Sequence, residues 1–362
     1  MLNELRIELE QNKKEILNVM NKELSNINPD MIQSKWASYT FPEGPRKPVI
    51  AVDGSVNNIN FVAKALYATS SHAVYSTSEG LTGQASINKI ELLPNMPDLK
   101  KVFSKQMALM ELKTILHVLH TTNAKYVLID GDLYSMIDHI NRGVPHFSTK
   151  NKFIKEYTQQ IVEEEENNFG LEVPSIAGLL DELEEHSGAS LQIILYSQMI
   201  RELCVLKKIL NDYSDRVISI SKTSITKGLY HHEHISDLAL INIYCENIGY
   251  SHELSQHRLS LNPLYDMDYP IYNDFFRSLD FTTRFVRLTG NGAVLKVQLP
   301  GHPSEEEFRN VFTELRNHAL DSTGYPFVLK RVHDKVKISS MDMQSISGAL
   351  GLNYELKERN ML

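Results

Sequence analysis

Two short apolar runs, each ending in Asp-Gly, constrain the fold of this chain more than any other feature. The run VIAV precedes Asp53, the run YVLI precedes Asp130, and a glycine follows each aspartate. Continuous apolar runs of this length predict strands that are buried on both faces of a sheet. If the two strands are neighbours, Asp53 and Asp130 converge at one sheet edge. Asp-Gly is also a common turn dipeptide, so either aspartate taken alone is better explained as a turn residue.

A third carboxylate, Glu111, falls in a helix predicted over residues 98–120. Its neighbours at i−4, i+4 and i+7 are Met107, Ile115 and Val118, so it lies in an apolar stripe that should face the sheet. An ionised carboxylate buried there needs a cation or a basic partner; the alternative is that Glu111 lies at the margin of the stripe and reaches solvent. Three convergent carboxylates without a competing cysteine favour Mg²⁺ or Mn²⁺.

Divalent ions held in this way serve phosphodiester hydrolysis, because they activate water and stabilise the departing oxygen. The chain has 37 lysines and arginines against 45 acids, so 37 − 45 gives a net charge of −8. Overall charge therefore cannot hold nucleic acid, which is bound mainly through its phosphates. A nuclease with this composition needs local basic groups, metal ions or a partner that supplies positive charge.

The segment 324–337 supplies such a local basic patch. Its four basic residues within eight positions are Lys330, Arg331, Lys335 and Lys337. Tyr325 and His333 are eight positions apart, slightly over two helical turns, so both can face the same side. His333 could bind Mn²⁺ or transfer a proton, and Tyr325 could contact a phosphate or a base. A surface helix with incidental basic residues is the alternative.

The order of predicted elements indicates an α/β fold. Three strands (49–52, 61–69 and 73–78) form an antiparallel meander, followed by the helix 98–120, a strand at 126–129, a helical insertion at about 150–212, a strand at 216–221, a hairpin at 282–299 and closing helices. This order predicts a mixed sheet flanked by helices, in the manner of ribonuclease H. We expect an N-terminal helix and linker over residues 1–45, one domain over 46–350 with a β-hairpin region at about 270–300, and a tail over 351–362.

Several other patterns lead to expectations of less consequence. The N-terminus lacks the apolar core of a signal peptide and no apolar run is long enough to span a membrane, which predicts a cytoplasmic protein. The acidic run Glu163–Glu166 predicts a solvated helix face. The cluster His231–His234 lies in a predicted loop without a second ligand pair, so we do not interpret it as a zinc site.

Six segments in order along residues 45–350 resemble the NurA nucleases, the partners of HerA ring translocases. They are VIAVDGS, MALMELKTILHVL, YVLIDGDLY, ISISKTS, the pair FVRL and VLKVQLP, and GYPFVLKRVHDKVKIS. The first and last are the most specific.

The resemblance implies a ribonuclease H-like core, a two-fold dimer and manganese-dependent cleavage of DNA, chiefly from 5′ ends. By position, the residues that would bind a pair of Mn²⁺ ions, with Mg²⁺ as the alternative, are Asp53, Glu111, Asp130 and His333, and Tyr325 would lie beside them as a further catalytic residue. The residues expected to contact DNA are Lys222, Lys330, Arg331 and Lys335. The predicted function is a deoxyribonuclease with 5′–3′ exonuclease and single-strand endonuclease activity, acting with a HerA-type ATPase in DNA end processing or antiviral defence.

Two other functions were compared with this one. An actin- or sugar-kinase-like ATPase also begins with Asp-Gly after a strand, but it needs two further glycine-rich phosphate loops that this sequence lacks. A non-catalytic adaptor of a ring ATPase would keep the fold but has no use for carboxylates that repel one another. Both remain alternatives to the nuclease.

Overall fold

A computed structural model describes residues 3–25, 27–141, 147, 151–183, 190–252, 255–258, 275–276 and 278–352. The helices within these ranges are α1 (Asn3–Ser25), α2 (Pro29–Gln33), α3 (Leu99–Thr121), α4 (Leu133–Asn141), α5 (Lys152–Glu166), α6 (Ile176–Glu182), α7 (Ser190–Asp212), α8 (Asp237–Tyr244), α9 (Glu305–Asn317), α10 (Phe327–Val336) and α11 (Ser340–Ala349). The strands are β1 (Trp36–Ser38), β2 (Val49–Asn60), β3 (Lys64–Thr77), β4 (Gly80–Pro94), β5 (Tyr126–Asp130), β6 (Val217–Ser221), β7 (Gly249–Ser251), β8 (Ser255–Arg258), β9 (Asp280–Arg287) and β10 (Leu295–Pro300).

These strands form one mixed sheet. Its order is β1-β7-β9-β10-β6-β5-β2-β3-β4, and β8 pairs with β9 outside this path. The central pairs β2–β5 and β5–β6 are parallel, and the other pairs are antiparallel. The α/β class with a mixed sheet flanked by helices is thus confirmed, and its ribonuclease H-like character remains a prediction.

Side chains of the central strands alternate between the two faces of the sheet and contribute to two apolar layers. Ile50 and Val52 of β2 pack with α3, α5 and α7, whereas Val49 and Ala51 pack with α9 and α10 on the other face. Successive side chains of a strand point to opposite faces. The strands are therefore apolar on both faces, as their sequences predicted. The two layers lie on opposite sides of the sheet at the end of β5.

The antiparallel meander is confirmed, but its predicted bounds were wrong. The predicted strands 61–69 and 73–78 are parts of one continuous strand, β3, which covers Lys64–Thr77, and β4 at residues 80–94 was missed. The polar stretch of Ser70, Ser71 and His72 interrupts the apolar pattern, yet each of the three residues has a partner in both β2 and β4. Pairing on both sides keeps the strand continuous.

The other elements largely follow the prediction. The helical insertion contains α5, α6 and α7, and the hairpin forms from β9 and β10. Residues 270–274 and 277 of the predicted hairpin region and residues 353–362 of the tail lie outside the described residues. The division at residues 45 and 350 stays a prediction. None of the helices in the described ranges combines the length and the apolarity needed to cross a membrane.

Candidate active site

The candidate site lies where β2 extends beyond its parallel neighbour. The β2–β5 pairing ends at Val52 opposite Ile129, while β2 continues through Asp53 to Asn60. The expectation that Asp53 follows the end of a strand was therefore wrong: it lies within one. Because Asp53 shares its face with Ala51, its side chain points toward α10. There its Oδ2 lies 2.8 Å from Nδ1 of His333.

Glu111 approaches the same point from the opposite layer. It is only partly exposed on α3, and it packs against Gly54, which faces α3 as Val52 does. A Cβ atom added to Gly54 would lie 2.7 Å from Oε1 of Glu111 and 2.8 Å from its Cγ. The absence of a side chain at Gly54 leaves the space that Glu111 occupies.

Asp130 ends β5 and faces the α10 layer together with Leu128. Its Oδ2 lies 3.4 Å from Nζ of Lys222, which follows β6. The same Nζ lies 3.9 Å from the centroid of the Tyr325 ring. The Tyr325 hydroxyl is buried and makes no well-formed hydrogen bond within the described residues. Lys222 thus links Asp130 to a buried aromatic residue by an ion pair and a cation–π contact.

The carboxylates at this edge are electrostatically strained. Desolvation, followed by repulsion from Asp53, raises the pKa of Glu111 to about 8. Burial also raises the pKa of Asp53, although its contact with His333 offsets part of the effect. Burial and the charge of Asp130 raise the pKa of Tyr325 far above its ordinary value, so its hydroxyl stays protonated. Ionising Glu111 beside Asp53 is therefore unfavourable unless a cation is present.

The four predicted metal ligands come from the strands β2 and β5 and from the helices α3 and α10. Within the described residues, no three His, Cys, Asp or Glu side chains are grouped so that they could hold a metal ion as they stand. Part of the set of possible metal ligands is already engaged, because Asp53 contacts His333 and Asp130 contacts Lys222. Three carboxylates and one imidazole nonetheless suit Mn²⁺, and the desolvated Glu111 lies where a cation would be stabilising. The residues present therefore fit the metal chemically.

Asp132 is a fourth acid near the edge, and the sequence analysis did not single it out. Its carboxylate accepts a hydrogen bond from Lys296 of β10 and another from the backbone N–H of Ser135. Burial alone would raise the pKa of Asp132, but the Lys296 ammonium more than offsets this and holds it below its ordinary value. Asp132 therefore already has a cation partner and caps the start of α4. The sequence does not show the pairing of Asp132 with Lys296, because the two residues are 164 positions apart.

The basic residues of α10 lie on its exposed side. Lys330, Arg331 and Lys335 are all exposed, and Nζ of Lys335 lies against Gly83 of β4. Arg331 and Lys335 line a cavity of about 380 Å³ between α10 and the β3–β4 hairpin. The helix thus presents positive charge next to the β3–β4 hairpin, and His333 of the same helix contacts Asp53.

Two further sequence patterns have structural roles. Glu163, Glu164 and Glu166 are exposed, but Glu165 is buried, so the prediction of a fully solvated acidic face was wrong at that residue. In the histidine cluster, Nδ1 of His232 accepts hydrogen bonds from two backbone N–H groups three residues or fewer away and shapes the loop.

Comparison with known proteins places this geometry in a family. The NurA domain model matches residues 47–338, which contain every residue of the site. The chain belongs to the NurA family. The resemblance stated from the sequence motifs is confirmed, and it covers the greater part of the chain.

Individual NurA proteins are distant from this chain in sequence but match it over nearly their full length. The probable DNA double-strand break repair nuclease NurA of Methanocaldococcus jannaschii is 22% identical over 360 residues, which cover 95% of this chain and 88% of the relative. The crystal structure of the NurA nuclease from Sulfolobus solfataricus superimposes with a TM-score of 0.74 at 20% identity, covering 99% of this chain and 98% of that one. A NurA structure bound to dAMP and manganese has a TM-score of 0.63 at 16% identity and covers 91% and 94%. At these identities, the structural matches establish the fold.

Proposed function

We propose that this NurA-family protein is a metal-dependent DNA nuclease that hydrolyses phosphodiester bonds at the edge formed by β2, β5 and α3. The observation that carries the proposal is the convergence of Asp53, Glu111 and Asp130 with mutual repulsion that Lys222 and His333 do not remove. A divalent cation would neutralise this charge. Relatives are described as double-strand break repair nucleases, and one NurA structure contains manganese and dAMP, which supports the same chemistry.

The residues of the site have separable roles in this proposal. Asp53, Glu111, Asp130 and His333 would hold two Mn²⁺ ions, or Mg²⁺ in their place. When bound, these ions supply a nucleophilic water and stabilise the departing oxygen. Lys222 lies beside Asp130, where its charge can stabilise the negative charge that develops on the phosphate. The hydroxyl of Tyr325 is buried and protonated in this structure, and in the proposal it would donate a hydrogen bond to a phosphate oxygen once DNA is bound.

Lys330, Arg331 and Lys335 would contact the DNA backbone next to the cleaved bond. Because the chain is acidic overall, these contacts are local, and we propose that a HerA-type ring ATPase delivers the DNA. The finer activities that we propose are 5′–3′ exonuclease and single-strand endonuclease cleavage by a cytoplasmic homodimer, in end processing or defence.

The direct test incubates the purified full chain with end-labelled single-stranded and blunt duplex DNA in Mn²⁺, Mg²⁺ or EDTA. We expect cleavage with Mn²⁺, none with EDTA, and none for Asp53→Asn. The matched control is Asp98→Asn, the same change at an exposed residue before α3. Cleavage that persists in EDTA and in Asp53→Asn would overturn the proposal, and DNA binding without any cleavage would favour the adaptor.

A further inference from the structure

Ile225 is the most exposed large apolar side chain in the described part of the molecule, at 93%. It lies in the loop between β6 and α8. Single exposed apolar residues are common on protein surfaces, so exposure alone indicates no function. The hydrogen bonds that hold the loop, and its position just after Lys222, are more informative.

The backbone on both sides of Ile225 is fixed by hydrogen bonds. Ser224 Oγ donates to Thr226 Oγ1 at 2.9 Å and accepts from the Thr226 N–H at 3.2 Å. Lys296, which is 5% exposed, donates to Thr226 Oγ1 at 3.0 Å, and the backbone N–H of Asp237 donates to the Thr226 carbonyl at 2.8 Å. The loop therefore holds Ile225 in solvent at a defined position. Because the side chain is not buried there, it contributes almost no hydrophobic stabilisation to the fold.

That position is close to the catalytic edge. Lys222, the residue that contacts Asp130, precedes Ile225 by three positions, a span of at most about 11 Å of extended chain. The Lys222 ammonium also lies over Tyr325, which precedes Phe327 by two positions. Phe327 is 37% exposed at the start of α10. Lys222, a cation suited to phosphate, thus lies three positions from Ile225 and contacts a residue two positions from Phe327.

We propose that Ile225 is a wedge that packs against the terminal nucleobase of a DNA end and opens its base pair, with Phe327 as a second apolar contact. This inference rests on the proposed function and deepens it, because it names the frayed end of a duplex as the substrate. Apolar side chains inserted between base steps unstack DNA at a cost of a few kcal/mol. Because its loop already holds Ile225 in place, ordering this residue adds nothing to that cost. The released strand would then lie next to the carboxylates.

The first readout needs no cleavage. A blunt duplex with 2-aminopurine in its terminal base pair is bound by the full chain in EDTA, and unstacking raises the fluorescence of that base. We expect the rise for the wild type, for Ile225→Leu and for Ile243→Ser, and its loss for Ile225→Ser. Ile243 on α8 is a matched control, since it is 46% exposed and receives the same substitution. A rise that persists in Ile225→Ser overturns the wedge.

The second readout compares cleavage of that duplex with cleavage of its single strand in Mn²⁺. Losing a base contact should slow Ile225→Ser by about fivefold or more on the duplex, and by less than about twofold on the single strand. Equal losses on both substrates would overturn the wedge, as expected if Ile225 instead contacted a protein partner or shaped the loop. If the wild type cleaves neither substrate, the proposed function fails, and the fluorescence of the terminal base still decides the wedge separately.

Discussion

His333 Nδ1 lies 2.8 Å from Asp53 Oδ2 across 280 positions of sequence, and this contact joins α10 to the middle of β2. The Asp53 side chain is 17% exposed and that of His333 is 60% exposed, so the aspartate is the shielded member of the pair. An imidazole held by a carboxylate has a fixed ring orientation. Both residues are proposed to hold the metal ions of one site, so they should behave as a unit.

The first prediction therefore concerns their coupling. Asp53→Asn and His333→Ala should each lower kcat on single-stranded DNA by about 100-fold or more, and the double variant should be no worse than the more impaired single variant. The measurement is steady-state cleavage in Mn²⁺ for all four proteins, with thermal melting to establish that each is folded. Losses that multiply in the double variant would show that the two residues act independently.

The second prediction follows from the pKa of Glu111, which is raised from its ordinary value of 4.5 to about 8. Between these values the folded protein binds more protons than the unfolded chain, so stability falls as the pH rises through this window. Glu111→Gln removes the titrating group. In EDTA, its melting temperature should exceed that of the wild type by more at pH 8 than at pH 5. A difference that is independent of pH, or a pH trend that Glu163→Gln reproduces at an exposed site, would contradict this.

A third prediction tests the contact between Gly54 and Glu111 without removing any proposed metal ligand. The Cβ atom of Gly54→Ala would lie 2.7–2.9 Å from three atoms of Glu111, so the carboxylate must move. Affinity for Mn²⁺, measured by calorimetry, should fall by about tenfold or more, as for other changes that misplace a ligand. Gly178→Ala in α6 is the control, because its Cβ would have no neighbour closer than 3.8 Å. Unchanged Mn²⁺ affinity in Gly54→Ala would remove Glu111 from the metal site.

The fourth prediction separates two roles of Lys222. Its ammonium lies 3.4 Å from Asp130 and competes there with a metal ion for the same carboxylate. Lys222→Met should therefore bind Mn²⁺ more tightly, by up to about fivefold because exposed ion pairs are worth at most about 1 kcal/mol, while kcat falls. Free Mn²⁺ is measured by electron paramagnetic resonance. Lys227→Met in the same loop should change neither quantity, and weaker Mn²⁺ binding in Lys222→Met would contradict the competition.

The parts of the fold that the sequence predicted are those encoded by local burial. VIAV and YVLI predicted strands buried on both faces because every side chain in them is apolar, and both form at the centre of the sheet. The stripe around Glu111 likewise predicted α3. The continuity of β3 through His72 depends on two neighbouring strands, and a pattern read along one segment contains no information about them.

The candidate site was likewise predicted only in part from local sequence. Asp53, Glu111 and Asp130 could be singled out from their positions after or within apolar segments. The partners that determine how each behaves come from distant segments: His333 for Asp53, and Lys222 for Asp130. Asp132, two positions after Asp130, does not follow an apolar run directly and was not singled out. Only the position of Lys296 in β10 shows that Asp132 already has a cation partner.

The last prediction concerns the acidic run in α5, where one of four glutamates differs from its neighbours. Glu165 is 1% exposed and contacts Lys113 and Arg201, both of them buried. Glu165→Gln would leave these two cations without their shared carboxylate, and breaking a buried ion pair in this way costs about 3–5 kcal/mol. Urea unfolding should show that loss for Glu165→Gln and almost none for Glu163→Gln or Glu166→Gln, which remove the same charge from solvent. Equal stability of all three variants would mean that the cations find other partners, and that the interface of α3, α5 and α7 does not depend on this carboxylate.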